Sequence, residues 1–336
     1  MGLTTEKNVL TSLRNFTGND GIMSNCANEL SETSPNLRIF LLVSLSLVLI
    51  FSTLFNSFAL WVFCCKMKKW TETRVFMMSL LTSDCCLLVV IPFRIYSVWK
   101  PWDLGPIICK IALSCYFMNT YMGICIITLI AVDRYIAIKF PLKARSLRSP
   151  KKAVLACGII LILLLATCLY LELKPNRITK EQPVCFRKLT RSPLSITLYF
   201  AILGFCIPLV ILIFCSVEII KILKKKPIHS TQELKSIQKT IYIVFVNLVI
   251  FMVCFLPFAT INIVRYIVES LSSDCSLVKL VNDFANGTQA IANINCCLDA
   301  VTYYFVAAEF WEKASLSPKL NLLLYTQTQD TSLQDK

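Results

Sequence analysis

Four ionisable side chains stand within or beside long apolar stretches of the sequence: Asp84, Arg94, Arg265 and Asp299. Ionisable groups are costly inside a membrane and are normally kept there for function. Two close carboxylates share a proton or a cation, because both cannot stand free as charges. A guanidinium binds a carboxylate or a phosphate through paired hydrogen bonds. The two acids therefore predict a shared polar or cation site, and the two arginines predict an anion site.

A second pattern, Cys109 and Asp133-Arg134-Tyr135, brackets one apolar run. Cys109 and Arg134 are separated by 25 residues, roughly 37 Å of helix, which is enough to cross a bilayer. Cys185 lies in the next loop on the Cys109 side, so the two thiols can pair. We predict a Cys109–Cys185 disulfide at one membrane face and Arg134 at the other. The alternative role for Arg134 is a cationic anchor at the membrane surface.

Seven apolar runs position these residues. They cover 39–63, 75–93, 111–132, 153–171, 194–217, 241–264 and 284–308. Each is close to or above the ~20 helical residues that span a hydrocarbon core. The sequence therefore predicts an all-α membrane protein, a seven-transmembrane helix bundle over residues 37–308. Residues 1–36 form an N-terminal segment, and residues 309–336 form a short amphipathic eighth helix and a tail.

Composition excludes a soluble enzyme. The chain is 56% apolar and 16% charged, whereas soluble domains carry about 25% charged residues. Its one histidine, His229, rules out a histidine-based metal site or catalytic triad. A phosphate-binding loop and a nucleophile elbow are also missing from the sequence. We expect no enzyme activity and no cofactor, apart from a sodium ion at the acidic pair.

The orientation follows from lysine and arginine in the loops. Sixteen of these cations flank one face of the predicted bundle and seven flank the other, so the first face is cytoplasmic and the N-terminus is extracellular. This placement predicts a plasma-membrane protein with a glycan on Asn15, in Asn15-Phe16-Thr17. It also predicts a second extracellular disulfide, Cys26–Cys275. Six of the seven outer cations lie in residues 172–193, either as a basic entrance or as an ordinary solvated loop.

The chain resembles the rhodopsin-like G-protein-coupled receptors over residues 38–312. The matches are Asn56, Asp84, Asp133-Arg134-Tyr135, Pro208, Phe251-x-x-Cys254-Phe255-x-Pro257, Asp299-Ala300-x-x-Tyr303 and Phe310. A closer resemblance is to the branch that contains the kynurenate-type orphan receptor and the lysophosphatidylinositol receptor. It is carried by Leu60-Trp61-Val62-Phe63-Cys64-Cys65, Trp70-Thr71-Glu72-Thr73-Arg74, Leu147-Arg148-Ser149-Pro150 and Asn295-Cys296-Cys297-Leu298-Asp299-Ala300.

The resemblance implies four groups of site residues. Asp133, Arg134 and Tyr135 meet a heterotrimeric G protein and arrestin. The activation relay comprises Ile124, Pro208, Phe251, Phe255, Pro257, Asp299 and Tyr303. A sodium or polar pocket comprises Asn56, Asp84, Asn295 and Asp299, for which the alternative is a water-filled packing cluster. Ligand contacts fall to Arg94, Tyr116, Thr120, Arg187 and Arg265.

Departures from the family pattern qualify these roles. They are Leu161, Phe255, Ala300, Ser216, Ile237 and Gly123. Gly123 replaces a serine of the sodium pocket, which weakens that site. Ile237 replaces an acid that holds the Arg134 position in many relatives, so we expect Arg134 to keep Asp133 as its local partner and the receptor to signal without ligand. Tyr116 and Asn293 exclude an amine receptor and an opsin.

The predicted function is a receptor for an anionic small molecule or lysophospholipid. Arg94 and Arg265 carry this prediction, because neither has an obvious acidic neighbour in the sequence. Their alternative role is to extend toward the lipid headgroups. A non-signalling scavenger of the same fold is the alternative function within this class. A transporter is the alternative from another class, although the internal repeats typical of transporters do not appear.

Overall fold

The computed structural model describes residues 30, 32–66, 70–173, 184–188, 193, 195–225, 227 and 231–300, and every regular element within these ranges is helical. The elements are α1 (Pro35–Trp61) with a π-helical turn (Val62–Lys66), α2 (Glu72–Trp99), α3 (Gly105–Lys139), the short α4 (Pro141–Leu147), α5 (Pro150–Leu173), α6 (Ser195–Ala201) with a second π-helical turn (Ile202–Cys206), α7 (Ile207–Lys225), α8 (Thr231–Leu271) and α9 (Cys275–Asn293). After a turn at Ile294, residues 295–300 are again helical.

The predicted seven-helix bundle is confirmed. Six helical stretches in the described part of the chain are long and apolar enough to cross a membrane. The seventh helix is α9, which is more polar. The helices extend past the predicted apolar runs; the sixth run was 241–264, whereas α8 covers Thr231–Leu271. Helices continue into the headgroup region, where polar residues are tolerated, so hydropathy alone underestimates their length.

Helix α3 is the central element. In its most apolar stretch 67% of the residues are buried, compared with 22% for the stretches at Pro35–Cys65 and Pro150–Leu171. The core around it includes Ile124 of α3 and Phe251 and Phe255 of α8, each at most 1% exposed. Since lipid is as apolar as these side chains, close packing rather than exclusion of water holds such helices together.

Local sequence sets the helix ends. Thr71 precedes α2, and its hydroxyl accepts a hydrogen bond from the Arg74 amide at 3.2 Å. Asp274 precedes α9, and its carboxylate accepts one from the Ser276 amide at 2.9 Å. Both side chains satisfy amides that the first helical turn leaves without partners.

The π-helical turn between α6 and α7 has a cause in the sequence. Pro208 has no amide hydrogen, so the regular hydrogen-bond pattern is interrupted in the turn before it. The Cys206 thiol, at the end of this turn, donates to the carbonyl of Ala201, the last residue of α6, at 3.5 Å. Gly204 lies so close to Tyr121 of α3 that an added Cβ would stand 3.0 Å from the ring. The turn thus brings the backbone of the fifth span against α3.

The two ends of the bundle are distinguished by the residues that they contain. The outer end contains the Cys109–Cys185 disulfide, which has a Cα–Cα distance of 5.8 Å and confirms the prediction. The inner end contains Asp133-Arg134-Tyr135. Cys275 is also disulfide-bonded, but Cys26 lies outside the described residues, so that pairing stays a prediction. Also outside them are Asn15, Tyr303, Phe310 and the eighth helix.

Candidate functional site

Arg94 of α2 lies inside the outer half of the bundle and is only 5% exposed. Its Nη2 donates to the Asn286 Oδ1 of α9 at 2.7 Å. Its guanidinium carbon lies 4.6 Å from the centre of the Phe186 ring. No salt bridge to Arg94 occurs within the described ranges. The side chain is therefore a buried cation held by an amide and an aromatic face.

Phe186 is positioned by the disulfide beside it. Its backbone has a φ of 65°, the only positive value at a non-glycine residue in the described chain, which is a sterically disfavoured conformation. Its ring packs edge-on against Tyr116 of α3 and against Trp102, at centroid distances of 5.4 Å and 6.2 Å. Cys185 thus holds an aromatic ring over Arg94 and Tyr116.

Three other cations near this end, Arg187, Lys188 and Arg265, have acidic partners. Arg187 donates to Asp283 of α9 at 2.9 Å and also to Thr33. Burial lowers the pKa of the Arg187 guanidinium, whereas Asp283 opposes that shift. Lys188 and Arg265 share the carboxylate of Glu269, at 2.5 Å and 3.1 Å.

The expectation that Arg265 lacks an acidic partner is therefore wrong. Glu269 lies one helical turn after Arg265, where side chains on one helix face meet, and it is only 5% exposed. The sequence prediction overlooked it because the predicted sixth run ended at residue 264. Of the two embedded arginines, Arg94 alone lacks a carboxylate partner in the described structure.

Alongside Arg94 and continuing below it, α9 presents a row of polar side chains at one-turn intervals: Asn282, Asn286, Gln289 and Asn293. Gln289 donates to the hydroxyl of Thr120 on α3, at 3.3 Å, and to Asn293, at 3.4 Å. Both amide atoms of Asn282 are buried without a hydrogen-bond partner. Thr120 thus faces a polar row that the sequence prediction did not identify as a unit.

The predicted polar pocket lies deeper and includes one further residue. Asn119 of α3 donates to the Asp84 carboxylate at 3.0 Å, and Asn295 donates to Asp299 at 2.6 Å. Asn56 donates to the carbonyl of Cys296 at 3.2 Å. The oxygens of Asn56 and Asn295 are buried without partners. Such unpaired oxygens beside carboxylates fit a hard cation, which prefers oxygen ligands.

Three of the proposed relay residues, Ile124, Phe251 and Phe255, meet in the core. Phe251 stacks on Phe205 of the π-helical turn at a centroid distance of 5.4 Å and packs edge-on against Phe255 at 5.6 Å. Pro257 lies inside α8. Ile124 belongs to the same buried cluster. The fifth and sixth spans therefore contact each other through aromatic rings in the core.

At the inner end, Arg148 takes the place expected of Arg134. Both Asp133 oxygens accept from Arg148, from Nε at 2.7 Å and from Nη2 at 2.9 Å. Arg148 also lies 3.7 Å from the carboxylate of Glu72. Arg134 instead donates to Thr73 of α2 at 3.1 Å. The expectation that Arg134 keeps Asp133 is wrong, because α4 returns Arg148 to the end of α3.

The remaining inner residues form an apolar contact. Tyr135 packs edge-on against Phe214 of α7, at a centroid distance of 5.6 Å. Ile237 is buried with Ile219, Leu223 and Val244, and Tyr135 packs against that cluster. The acid that many relatives carry at the Ile237 position is thus replaced here by apolar packing between α7 and α8.

Comparisons with known proteins agree with this geometry. The family model described as "7 transmembrane receptor (rhodopsin family)" matches residues 55–303. The chain is 35% identical over 298 residues to G-protein coupled receptor 35 of Homo sapiens, covering 89% of this chain and 94% of that protein. It is 31% identical over 297 residues to lysophosphatidic acid receptor 6 of Gallus gallus, covering 85% and 94%. The branch predicted from the sequence is thereby confirmed.

Proposed function

Because the chain belongs to the rhodopsin family of seven-transmembrane receptors, we propose that it binds an anionic small molecule or lysophospholipid at its outer end and activates heterotrimeric G proteins at its inner end. It is a multi-pass membrane receptor and not an enzyme. We place its N-terminus outside the cell and propose arrestin as a second partner of the inner end. The relative named for lysophosphatidic acid supports a ligand with an anionic headgroup.

The observation that carries the ligand class is the burial of Arg94 without a carboxylate. A buried cation without a counter-charge costs several kcal/mol. A bound carboxylate or phosphate offsets that cost and accepts two hydrogen bonds from the guanidinium fork. Asn286 and Phe186 already hold the fork in place, so less side-chain freedom is lost when the ligand binds.

Signalling then follows from a shift between conformations that exist before the ligand binds. The ligand contacts α2 and α9 near Arg94, and the polar row of α9 connects that region to Thr120 on α3. Phe251 and Ile124 connect α3 to α8. A ligand that favours a different packing of these side chains changes the access of a G protein to Arg134.

We propose a sodium ion for the pocket of Asn56, Asp84, Asn295 and Asp299. Two buried amide oxygens without partners support it. Asn119 and Asn295 already donate to the two acids, so the pocket also suits the water-filled alternative. A sodium dependence of basal signalling distinguishes the two.

The experiment is a G-protein activation assay in cells that express the full chain, with a panel of anionic metabolites and lysophospholipids and their neutral analogues. For the anion that activates, Arg94→Ala is expected to lose about 2–5 kcal/mol of binding free energy, more than tenfold in potency. Arg38→Ala is the matched control, because Arg38 is an exposed outer arginine whose Nη2 donates to the Trp99 carbonyl. It is expected to keep wild-type potency.

Equal potency in both variants at matched surface expression contradicts the anion site. Activation by the neutral analogues alone contradicts the ligand class. Binding of an anion without activation of any G protein identifies a scavenger instead.

A further inference from the structure

We propose that Cys64 and Cys65 are S-acylated by long-chain fatty acids at the inner end of the first span. The span covers Pro35–Cys65, 31 residues, which is roughly 46 Å of helix. A hydrocarbon core is only ~30 Å thick. The last turn of this span therefore reaches the headgroup region, and the π-helical turn Val62–Lys66 forms that last turn.

The π-helical turn directs the two thiols away from the bundle. Val62 and Phe63 are 5% and 0% exposed. The Phe63 carbonyl accepts a hydrogen bond from the Arg74 guanidinium of α2. Cys64 and Cys65, the next two residues, are exposed and free. Because Val62 and Phe63 are fixed against the bundle, the thiols of Cys64 and Cys65 lie on the side that faces lipid and headgroups.

The surrounding side chains mark the depth of the membrane interface. Trp61 and Trp70 are 50% and 60% exposed, and tryptophan concentrates where lipid tails meet headgroups. Arg74 lies over the Trp70 ring at 4.4 Å, and Lys66 follows the thiols directly. Juxtamembrane cysteines in such a setting are sites of reversible acylation. An acyl chain on either thiol enters the bilayer without crossing a headgroup layer.

The reaction is a thioester exchange with a fatty acyl-coenzyme A, catalysed by a membrane acyltransferase. The cysteine sulfur attacks the acyl carbonyl carbon, a new S–C bond forms, and the S–C bond to coenzyme A breaks. The proton lost by the cysteine ends on the coenzyme A thiol. The proposal rests on the proposed orientation, because the inner end must face the cytosolic acyl donor.

A matched comparison residue is available in the chain. Cys86 is also free and exposed, but it lies 14 residues after the start of α2 at Glu72, roughly 21 Å along the helix. At that depth a thiol is surrounded by hydrocarbon and out of reach of a charged donor. Residues 309–336 contain no cysteine.

The test is hydroxylamine-dependent thiol mass-tagging of the full chain from human cells. Free thiols are first blocked, thioesters are cleaved, and each released thiol adds one tag. The wild type is expected to carry two tags, Cys64→Ser and Cys65→Ser one each, and the double variant none. Cys86→Ser is expected to keep both tags.

Loss of the tags must be separated from misfolding and from inverted topology. Surface labelling of an N-terminal epitope in unpermeabilised cells measures both. An accessible epitope with no hydroxylamine-dependent tag in the wild type overturns the acylation proposal and leaves the receptor proposal intact. Tags that persist in the double variant also overturn it. An inaccessible epitope in intact cells overturns the orientation on which both proposals rest.

Discussion

The Asp133–Arg148 ion pair makes a direct prediction about ligand-independent signalling. Arg148 holds both oxygens of Asp133, and this leaves Arg134 bonded to Thr73. In Arg148→Ala the Asp133 carboxylate, 8% exposed, loses its counter-charge. Arg134, the next residue, is then the cation positioned to replace it. We expect Arg134 to turn to Asp133 and basal G-protein activation to fall.

The size of the effect follows from the geometry. Hydrogen bonds to charged groups contribute about 1.5–3 kcal/mol. The Arg148 side chain is 26% exposed, so solvent screening favours the lower end of that range. About 1.5 kcal/mol corresponds to a roughly tenfold shift of the equilibrium between the two Arg134 positions. Arg148→Lys keeps the positive charge but cannot make the two paired hydrogen bonds. We therefore expect it to lose less basal G-protein activation than Arg148→Ala.

The assay is nucleotide exchange on purified G protein with the receptor in lipid nanodiscs, without ligand. Lys152→Ala is the control, because Lys152 is an exposed cation near Arg148 whose Nζ donates to the Ser146 carbonyl. A double-mutant cycle with Asp133→Asn isolates the pair. Equal basal rates for Arg148→Ala and Lys152→Ala would refute the reasoning. So would an undiminished Arg148→Ala effect in the Asp133→Asn background.

Three further predictions concern other parts of the site. Arg265→Ala should reduce ligand potency less than Arg94→Ala, since Glu269 keeps Arg265 partly neutralised; an equal or larger loss in a dose–response assay contradicts this. Ile237→Glu should lower basal signalling by giving Arg134 an acidic partner in place of the Thr73 hydroxyl, and an unchanged basal rate at equal expression contradicts it. Gly123→Ser should increase the sodium dependence of basal signalling, because the serine hydroxyl adds an oxygen ligand to the polar pocket. The added Cβ fits, since its nearest neighbours lie at an ordinary contact distance of 3.4 Å. Sodium titration against potassium at constant ionic strength decides that point, and identical curves for variant and wild type contradict it.

The seven-helix bundle could be predicted from the sequence because long apolar segments are a strong indication of membrane-spanning helices. Asp84 and Asp299 were identifiable because a carboxylate is conspicuous among apolar residues. Cys109 and Arg134 were placed at opposite ends by helical rise alone. These inferences need only the position of a residue along its own helix.

The partners of these residues were less predictable, because contacts between elements depend on packing. Asn119 is neutral and lies within a predicted span, so only its distance to Asp84 identifies its role. Arg148 reaches Asp133 because the short helix α4 brings the chain back to the end of α3. A hydropathy pattern does not predict that path. Glu269 was predictable in principle from its one-turn spacing to Arg265. It was overlooked because the apolar run predicted from hydropathy ended at residue 264.

The sharing of Glu269 by two cations has a consequence for the valence of the ligand. Four cations line the outer region described above: Arg94, Arg187, Lys188 and Arg265. Two carboxylates, Asp283 and Glu269, pair with three of them, so these six described side chains together carry a net charge of +2. A phosphate monoester, with a charge near −2 at neutral pH, balances both charges, whereas a single carboxylate leaves one. The proposed site is therefore electrically matched to a dianion.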